Sequence, residues 1–217
     1  MLRQEAVWLS QKIYSLKPDE VFPLLNIGSS TKTFREKTQP WIDTNIFNPA
    51  RENMYPVIHM DLKKDDGVDI AGDIRNPDIL QEIANLNIKS VMCSNLLEHL
   101  SNREEICEII YSILPIGGYL FLTVPCDYPY HPDPIDTMFR PDIDELKGVF
   151  PTLKMLDGDI VHSKYNGTSL PFAVFATLFI LRLMLPVYKP HTWRSSFEKF
   201  PYLFKKVSAT CIVLQKL

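Results

Sequence analysis

Glycine is scarce in this chain: eight among 217 residues. The scarcity matters most after the short apolar strand Val21–Ile27, which runs into Gly28. The next five positions are Ser29, Ser30, Thr31, Lys32 and Thr33. A dinucleotide turn of the form G-x-G-x-x-G needs two further glycines, to admit the pyrophosphate and to pack its helix. A nicotinamide or flavin dinucleotide is therefore disfavoured. Cysteine is sparse too. Cys93, Cys107, Cys126 and Cys211 match no zinc or Cys-x-x-Cys spacing and read as free thiols, mostly buried, of a reducing cytosol. No unbroken apolar run opens the chain, where Glu5 and polar residues intervene, so no export is expected. A spanning helix needs about 20 apolar residues. The most apolar stretch, 170–185, is shorter, carries Arg182 and lies between Pro171 and Pro186. Internal repeats and low-complexity segments are absent.

What is present is ordinary in amount and uneven in placement. Hydrophobic residues make up 46% and charged residues 23%, as in a soluble globular chain. The length suits one domain, residues 1–217, with an apolar helical insertion at about 165–200 before the last strand. Residues 1–160 carry 25 Asp/Glu against 15 Lys/Arg, whereas residues 161–217 carry eight Lys/Arg and a single acid, Glu198. The basic tail either faces a phosphate-bearing or membrane-surface partner or neutralises its own acidic body. The basic residues alternate with apolar runs and form no phosphate-tracking stripe, which disfavours a nucleic-acid partner.

Strand and helix signals alternate along the chain, which argues for a parallel α/β sheet. Helices are expected at 2–16, 32–53 (broken at Pro40 and loosened at Pro49), 77–86, 102–114 and 142–149. Capping boxes are expected from Ser101 with Glu104 and from Asp142 with Glu145. Asn76 followed by Pro77 marks a further helix start. Strands are expected at about 21–27, 57–61, within 68–74, at 88–93, 119–124, 153–157 and 207–215.

At the Gly28 turn a cofactor without phosphate makes a lighter demand than a dinucleotide. It needs one close backbone approach, with hydroxyls or amides for a charged amino-acid tail; S-adenosylmethionine is such a cofactor. Asp61, ending the second strand, is placed to accept from a ribose diol, or merely ends the strand. Asp73 stands at the tip of the third strand, where an adenine edge is met, or serves the turn before Asn76.

On these residues the chain resembles the class I S-adenosylmethionine-dependent methyltransferases. LNIGSS stands at the glycine motif, HMDL at the acidic end of strand two and AGDI at the third motif. VMCSNLLEHLSN stands at the fourth-strand motif and LPIGGYLFLTVP at the turn and fifth strand. The resemblance covers roughly 20–160. It implies a Rossmann-like seven-stranded sheet in order 3-2-1-4-5-7-6, with the last strand antiparallel and helices on both faces. It also implies that Ser94, Asn95 and Leu96 lie beside the cofactor, together with Asn26, Gly28, Ser29, Ser30, Asp61, Asp73 and Ile74. Asn26 departs from the usual acid of the first motif, and 33 residues separate Gly28 from Asp61. From NIGSS to HPDPIDTMFRPD the chain is similar to a bacterial subfamily often linked with glycan assembly, which implies a small-molecule or glycan acceptor.

In such a sheet the acceptor lies outside the carboxyl ends of strands four and five. The loop 126–142 follows strand five and gathers Tyr128, Tyr130, His131, Asp133, Asp136 and Arg140 between prolines. His131 is the expected general base, its ordinary pKa being suited to proton removal at neutral pH. Asp133 and Asp136 either orient it or act directly; alternatively they cap backbone amides and pair with Arg140. Tyr128, Tyr130, Arg140 and His99 are expected at the acceptor. Glu98 with His99 lacks an upstream carboxylate, since Asn95 stands there, so no metal is expected and the pair reads as pocket floor. His59 and His162 read as core or edge residues.

These features lead to an O-methyltransferase of a small-molecule or sugar-containing acceptor, in the cytoplasm. Two other readings stand beside it. One is a degenerate methyltransferase-like binding protein. The other is a partner of glycan assembly held at the inner membrane surface, or a homodimer, through about 170–187.

Overall fold

The computed structural model describes residues 1–131, 135–164, 172–184, 193, 200–203 and 205–217. Helix α1 (Arg3–Ser15) opens the chain and a short helix, α2 (Pro18–Val21), follows, with Pro18 preset for its first turn. This short helix takes Val21, the first position of the expected strand, and Phe22 and Pro23 lie between the two elements, so β1 is only Leu24–Ile27. Residues 34–52 form a chain of short turns. Wide π-type turns at Phe34–Thr38 and Asp43–Phe47 alternate with α3 (Pro40–Ile42) and α4 (Asn48–Glu52). Pro40 breaks the segment as expected, whereas Pro49 sits in the first turn of α4 and is tolerated there.

Then follow β2 (Val57–Asp61), β3 (Ile70–Ala71), α5 (Pro77–Ala84), β4 (Ser90–Ser94), α6 (Arg103–Ile113) and β5 (Tyr119–Pro125). The remaining elements are α7 (Ile143–Gly148), β6 (Lys154–Lys164), α8 (Phe172–Met184) and β7 (Lys206–Gln215).

The seven strands form one sheet in the order β3-β2-β1-β4-β5-β7-β6. All neighbours are parallel except β7, which runs antiparallel to both β5 and β6. Side chains alternate across the sheet. Leu25, Ile27, Val91, Cys93, Leu120 and Leu122 join the core beneath α6, and Leu24, Met92 and Phe121 join the core beneath α1. Both faces are covered, so the central strands are largely apolar, as parallel strands require, with Asn26, Ser90 and Thr123 as buried polar residues within them.

The differences from expectation have local causes. Strand β6 reaches Lys164 instead of ending near 157, because β7 offers hydrogen bonds along its whole length. As an edge strand β6 carries charges that mask its pattern. The Asp142–Glu145 box forms: the Glu145 amide donates to Asp142 (2.8 Å) and the Asp142 amide to Glu145 (3.0 Å). The Ser101–Glu104 box does not form. Helix α6 begins after Asn102, whose side-chain amide donates to Glu105 (2.6 Å). Of the expected insertion at about 165–200, the described part is chiefly α8. Val174, Leu178, Ile180, Leu181 and Met184 on it are exposed. No described helix is long and apolar enough to cross a membrane.

Candidate active site

The carboxyl end of β1 turns sharply at Gly28, which has φ +71, and at Ser30, which has φ 55. A Cβ on Gly28 would stand 3.2 Å from the Leu96 side chain, so the turn is both left-handed and closely covered. Strand pairing sets Ile27 beside Met60. Asp61, one residue further, therefore faces the turn despite the long intervening segment. The Ser29 amide donates to the Met60 carbonyl (2.9 Å) and the Ser30 amide to Asp61 Oδ2 (2.8 Å).

The turn is held from behind by Arg35, which is buried. Its guanidinium donates to the carbonyls of Ser29 (3.0 Å), Ser30 (2.6 Å) and Gly67 (2.7 Å). Burial lowers its pKa from the ordinary value. Nothing in TKTFREK distinguishes this arginine as a turn clamp, and sequence reading missed it. Asn26 and His59 also meet: the Asn26 side-chain amide lies 3.1 Å from His59 Nδ1 and donates to it. His59 is thus the partner of the residue that replaces the motif acid. Burial, and then the nearby Arg35 and Arg51, push its imidazole down to about 3.

At the end of β4, Asn95 takes a left-handed conformation, φ 52. Its backbone amide donates to the Thr123 carbonyl (2.9 Å) and its side chain to Glu5 Oε1 (2.7 Å). Glu5 also accepts from the Thr123 hydroxyl (2.6 Å) and the Leu2 amide (2.7 Å). This buried carboxylate pins α1 across the ends of β4 and β5, a role with no local signature beyond an acid in a helical first turn. Among the described residues the buried Ser94 hydroxyl has no hydrogen-bond partner.

One turn later Glu98 is fully buried, and neither of its carboxylate oxygens has a hydrogen-bond partner among the described residues. Burial pushes its carboxyl up to about 8. His99 Nε2 lies 3.7 Å and His131 Nε2 4.0 Å from Glu98 Oε1. His131 reaches this turn because the loop after β5 is strapped to it: the Thr137 amide and hydroxyl both donate to the Glu98 carbonyl (2.8 and 2.9 Å). Each imidazole has its other nitrogen beside acceptors. His99 Nδ1 bonds to the Ile135 carbonyl. His131 Nδ1 is 3.2 Å from the Pro129 carbonyl and 3.1 Å from Asp136 Oδ2. Those contacts place the proton on Nδ1 and leave the Nε2 lone pairs pointing inward.

Asp136 itself is committed to the loop. It accepts from both Arg140 terminal nitrogens (3.1 and 2.6 Å) and from the amides of His131 and Met138 (2.9 Å each). Burial alone would raise its carboxyl, but these donors outweigh it and bring the pKa down to about 2. Asp136 and Arg140 thus orient His131 and do not face the cleft. Tyr128 lies edge-on to His131, with ring centroids 5.0 Å apart. Tyr130 is exposed and does not line the cleft, and Asp133 falls outside the described residues.

A cleft of about 1270 Å³ crosses the carboxyl ends of the strands. Asn26, Gly28, Ser29, Ser30, Asp61, Ser94, Asn95 and Leu96 line one part of it, and His99, Tyr128 and His131 another. Two expected cofactor residues are not brought there. Asp73 is engaged by Arg75, whose side chain donates to it at 2.6–3.1 Å, and Ile74 is buried in the core. Residues 1–4 and Trp41 also line the cleft, and sequence reading did not anticipate them.

No protein-family model matches the sequence, and no curated protein is significantly similar to it. Solved structures are similar in shape. A methyltransferase dependent on S-adenosylmethionine from Anabaena variabilis has a TM-score of 0.55 at 11% identity, over 100% of this chain and 86% of that one. The fold is that of the S-adenosylmethionine-dependent methyltransferases. Coclaurine N-methyltransferase, bound to N-methylheliamine and S-adenosylhomocysteine, has a TM-score of 0.51 at 14% identity, over 98% and 70%. The 4+2 cyclase SpnF has a TM-score of 0.57 at 16% identity, over 99% and 81%. The same architecture therefore carries more than one reaction, and the activity has to be argued from the site.

Proposed function

We propose that this chain is an S-adenosylmethionine-dependent methyltransferase acting on a hydroxyl of a small-molecule or sugar-containing acceptor. The observation that carries the reading is the division of one cleft into two chemically different walls. The first wall fits the cofactor: Gly28 lets a ligand approach the backbone, Asp61 offers a carboxylate to a ribose diol, and the Ser94 hydroxyl has no hydrogen-bond partner among the described residues. The second wall presents the His131 Nε2 lone pair. Bound S-adenosylmethionine would supply a methyl group activated on a sulfonium, leaving alignment and proton removal to the protein.

His131 is suited to the proton. Burial lowers its pKa from the ordinary value, so it is neutral at pH 7. Asp136 and the Pro129 carbonyl hold its Nδ1–H, which leaves Nε2, 4.0 Å from Glu98 at the border of the cleft, as the basic nitrogen. Tyr128 limits its rotation from one side. The likeness of the loop and motifs to methyltransferases linked with glycan assembly supports a sugar-containing acceptor.

Calorimetric titration with S-adenosylmethionine, S-adenosylhomocysteine and NAD tests the reading. Micromolar binding of the two adenosyl ligands with none of NAD is expected. Asp61→Ala should weaken S-adenosylhomocysteine on the order of tenfold or more, the loss of a charged hydrogen-bond partner. Binding of NAD, or of no adenosyl ligand at all, would overturn the assignment.

A further inference from the structure

We propose that Glu98, His99 and His131 form a site for one divalent first-row transition-metal ion. The three side chains offer one carboxylate oxygen and two imidazole nitrogens within 4.8 Å of one another. Ligands ~2.1 Å from a tetrahedral ion stand roughly 3.4 Å apart. The separations of 3.7 and 4.0 Å from Glu98 to the two Nε2 atoms close to that value with small ring rotations.

Three independent features point to a cation. First, Glu98 is fully buried with both oxygens unpartnered among the described residues, and a buried carboxylate in that state is costly without a counter-charge. Second, both imidazoles are oriented as metal ligands are. Each Nδ1 is held by an outer acceptor, the Ile135 carbonyl for His99 and the Pro129 carbonyl with Asp136 for His131, so each Nε2 lone pair faces the carboxylate. Third, Glu98 lies at the floor while His99 and His131 border the cleft, so the remaining coordination positions open toward the acceptor wall.

The donor set selects the ion. Two imidazoles and one carboxylate suit zinc, iron, cobalt or nickel, whereas magnesium and calcium prefer all-oxygen sets. The missing donor of the Glu98–His99 pair therefore comes from the loop after β5 and not from upstream of it. The ion's open positions would take water or an acceptor hydroxyl and lower its pKa. In that state His131 serves as a ligand, and the coordinated hydroxyl no longer requires it as the base. Only this last use rests on the methyltransferase reading; the site itself does not.

The test uses the full chain, treated with chelator and titrated separately with Co²⁺, Zn²⁺ and Mg²⁺. One Co²⁺ per chain is expected, with a visible absorption band, at micromolar affinity or tighter; Zn²⁺ should displace it and Mg²⁺ should not bind. His99→Ala and His131→Ala should each weaken Co²⁺ on the order of 100-fold, and Glu98→Gln, which keeps the volume, at least tenfold. Circular dichroism melts confirm folding, and His99→Gln replaces the alanine variant if that one is unfolded. Absence of saturable binding to the folded chain, equal affinity in the histidine variants, or Mg²⁺ binding as tight as Co²⁺ would overturn the site. S-adenosylhomocysteine is titrated into the same stripped protein. Its binding without metal binding defeats the metal site alone, and metal binding without it defeats the cofactor assignment alone.

Discussion

The two walls of the cleft are built on opposite principles. Around Gly28 most polar groups already have protein partners: the Ser30 amide has Asp61, Asn26 has His59, Asn95 has Glu5, and Arg35 holds three carbonyls. Around Glu98 the reverse holds: among the described residues its two carboxylate oxygens have no hydrogen-bond partner, and two Nε2 lone pairs point inward. The first wall is largely satisfied by its own partners, the Ser94 hydroxyl being its exception among the described residues. The second keeps reactive groups unsatisfied, and such groups in a cleft are where chemistry is expected.

Substitutions can break that contrast from either side. The largest effect is expected at the reactive wall. His131→Ala should lower turnover on the order of 1000-fold, roughly 4 kcal/mol, while S-adenosylhomocysteine affinity stays within twofold. A matching loss of cofactor affinity would show that the two walls are not separable. Next comes the rigid wall. Arg35→Met keeps most of the volume but leaves the carbonyls of Ser29, Ser30 and Gly67 without their donor. A loss of about 3 kcal/mol in urea denaturation is expected, with weaker cofactor binding. Unchanged stability would mean that water replaces the guanidinium without cost.

The smallest effect sharpens the comparison through pH. The His59 imidazole falls from its ordinary 6.5 to about 3, mainly through burial and then through Arg35 and Arg51, with Asp43 opposing. Between those values the unfolded chain binds a proton that the folded chain does not. His59 therefore contributes stability that is present above about pH 6.5 and is lost progressively as pH falls toward 3. The wild type should lose more stability between pH 7 and pH 5 than His59→Gln does; parallel denaturation profiles would remove His59 from that role.

Much of the fold was legible in the order of the residues. The central strands are buried on both faces and read as apolar runs, and the Asn76-Pro77 start and the Asp142–Glu145 cap are local devices that formed as read. Edge strand β6 was half hidden by its charges. Asp73 looked like Asp61 in sequence, yet Arg75, two residues away, occupies it. Asp136 read equally as a direct actor, as an orienting group for His131 or as a cap paired with Arg140; in the structure Arg140 and the amides of His131 and Met138 take its oxygens.

By itself, then, the sequence determined the succession of strands, the faces they bury and the turn that opens at Gly28. These depend on short apolar runs and on residues adjacent in the chain. Only the tertiary structure decided which distant side chains share a dielectric. It set Asp61 against Ser30, Glu5 between Asn95 and Thr123, and His131 against Glu98. Burial and charge then gave Glu98 and His59 pKa values far from their ordinary ones. Desolvation is a property of everything packed around a group, and no motif one residue at a time can express it.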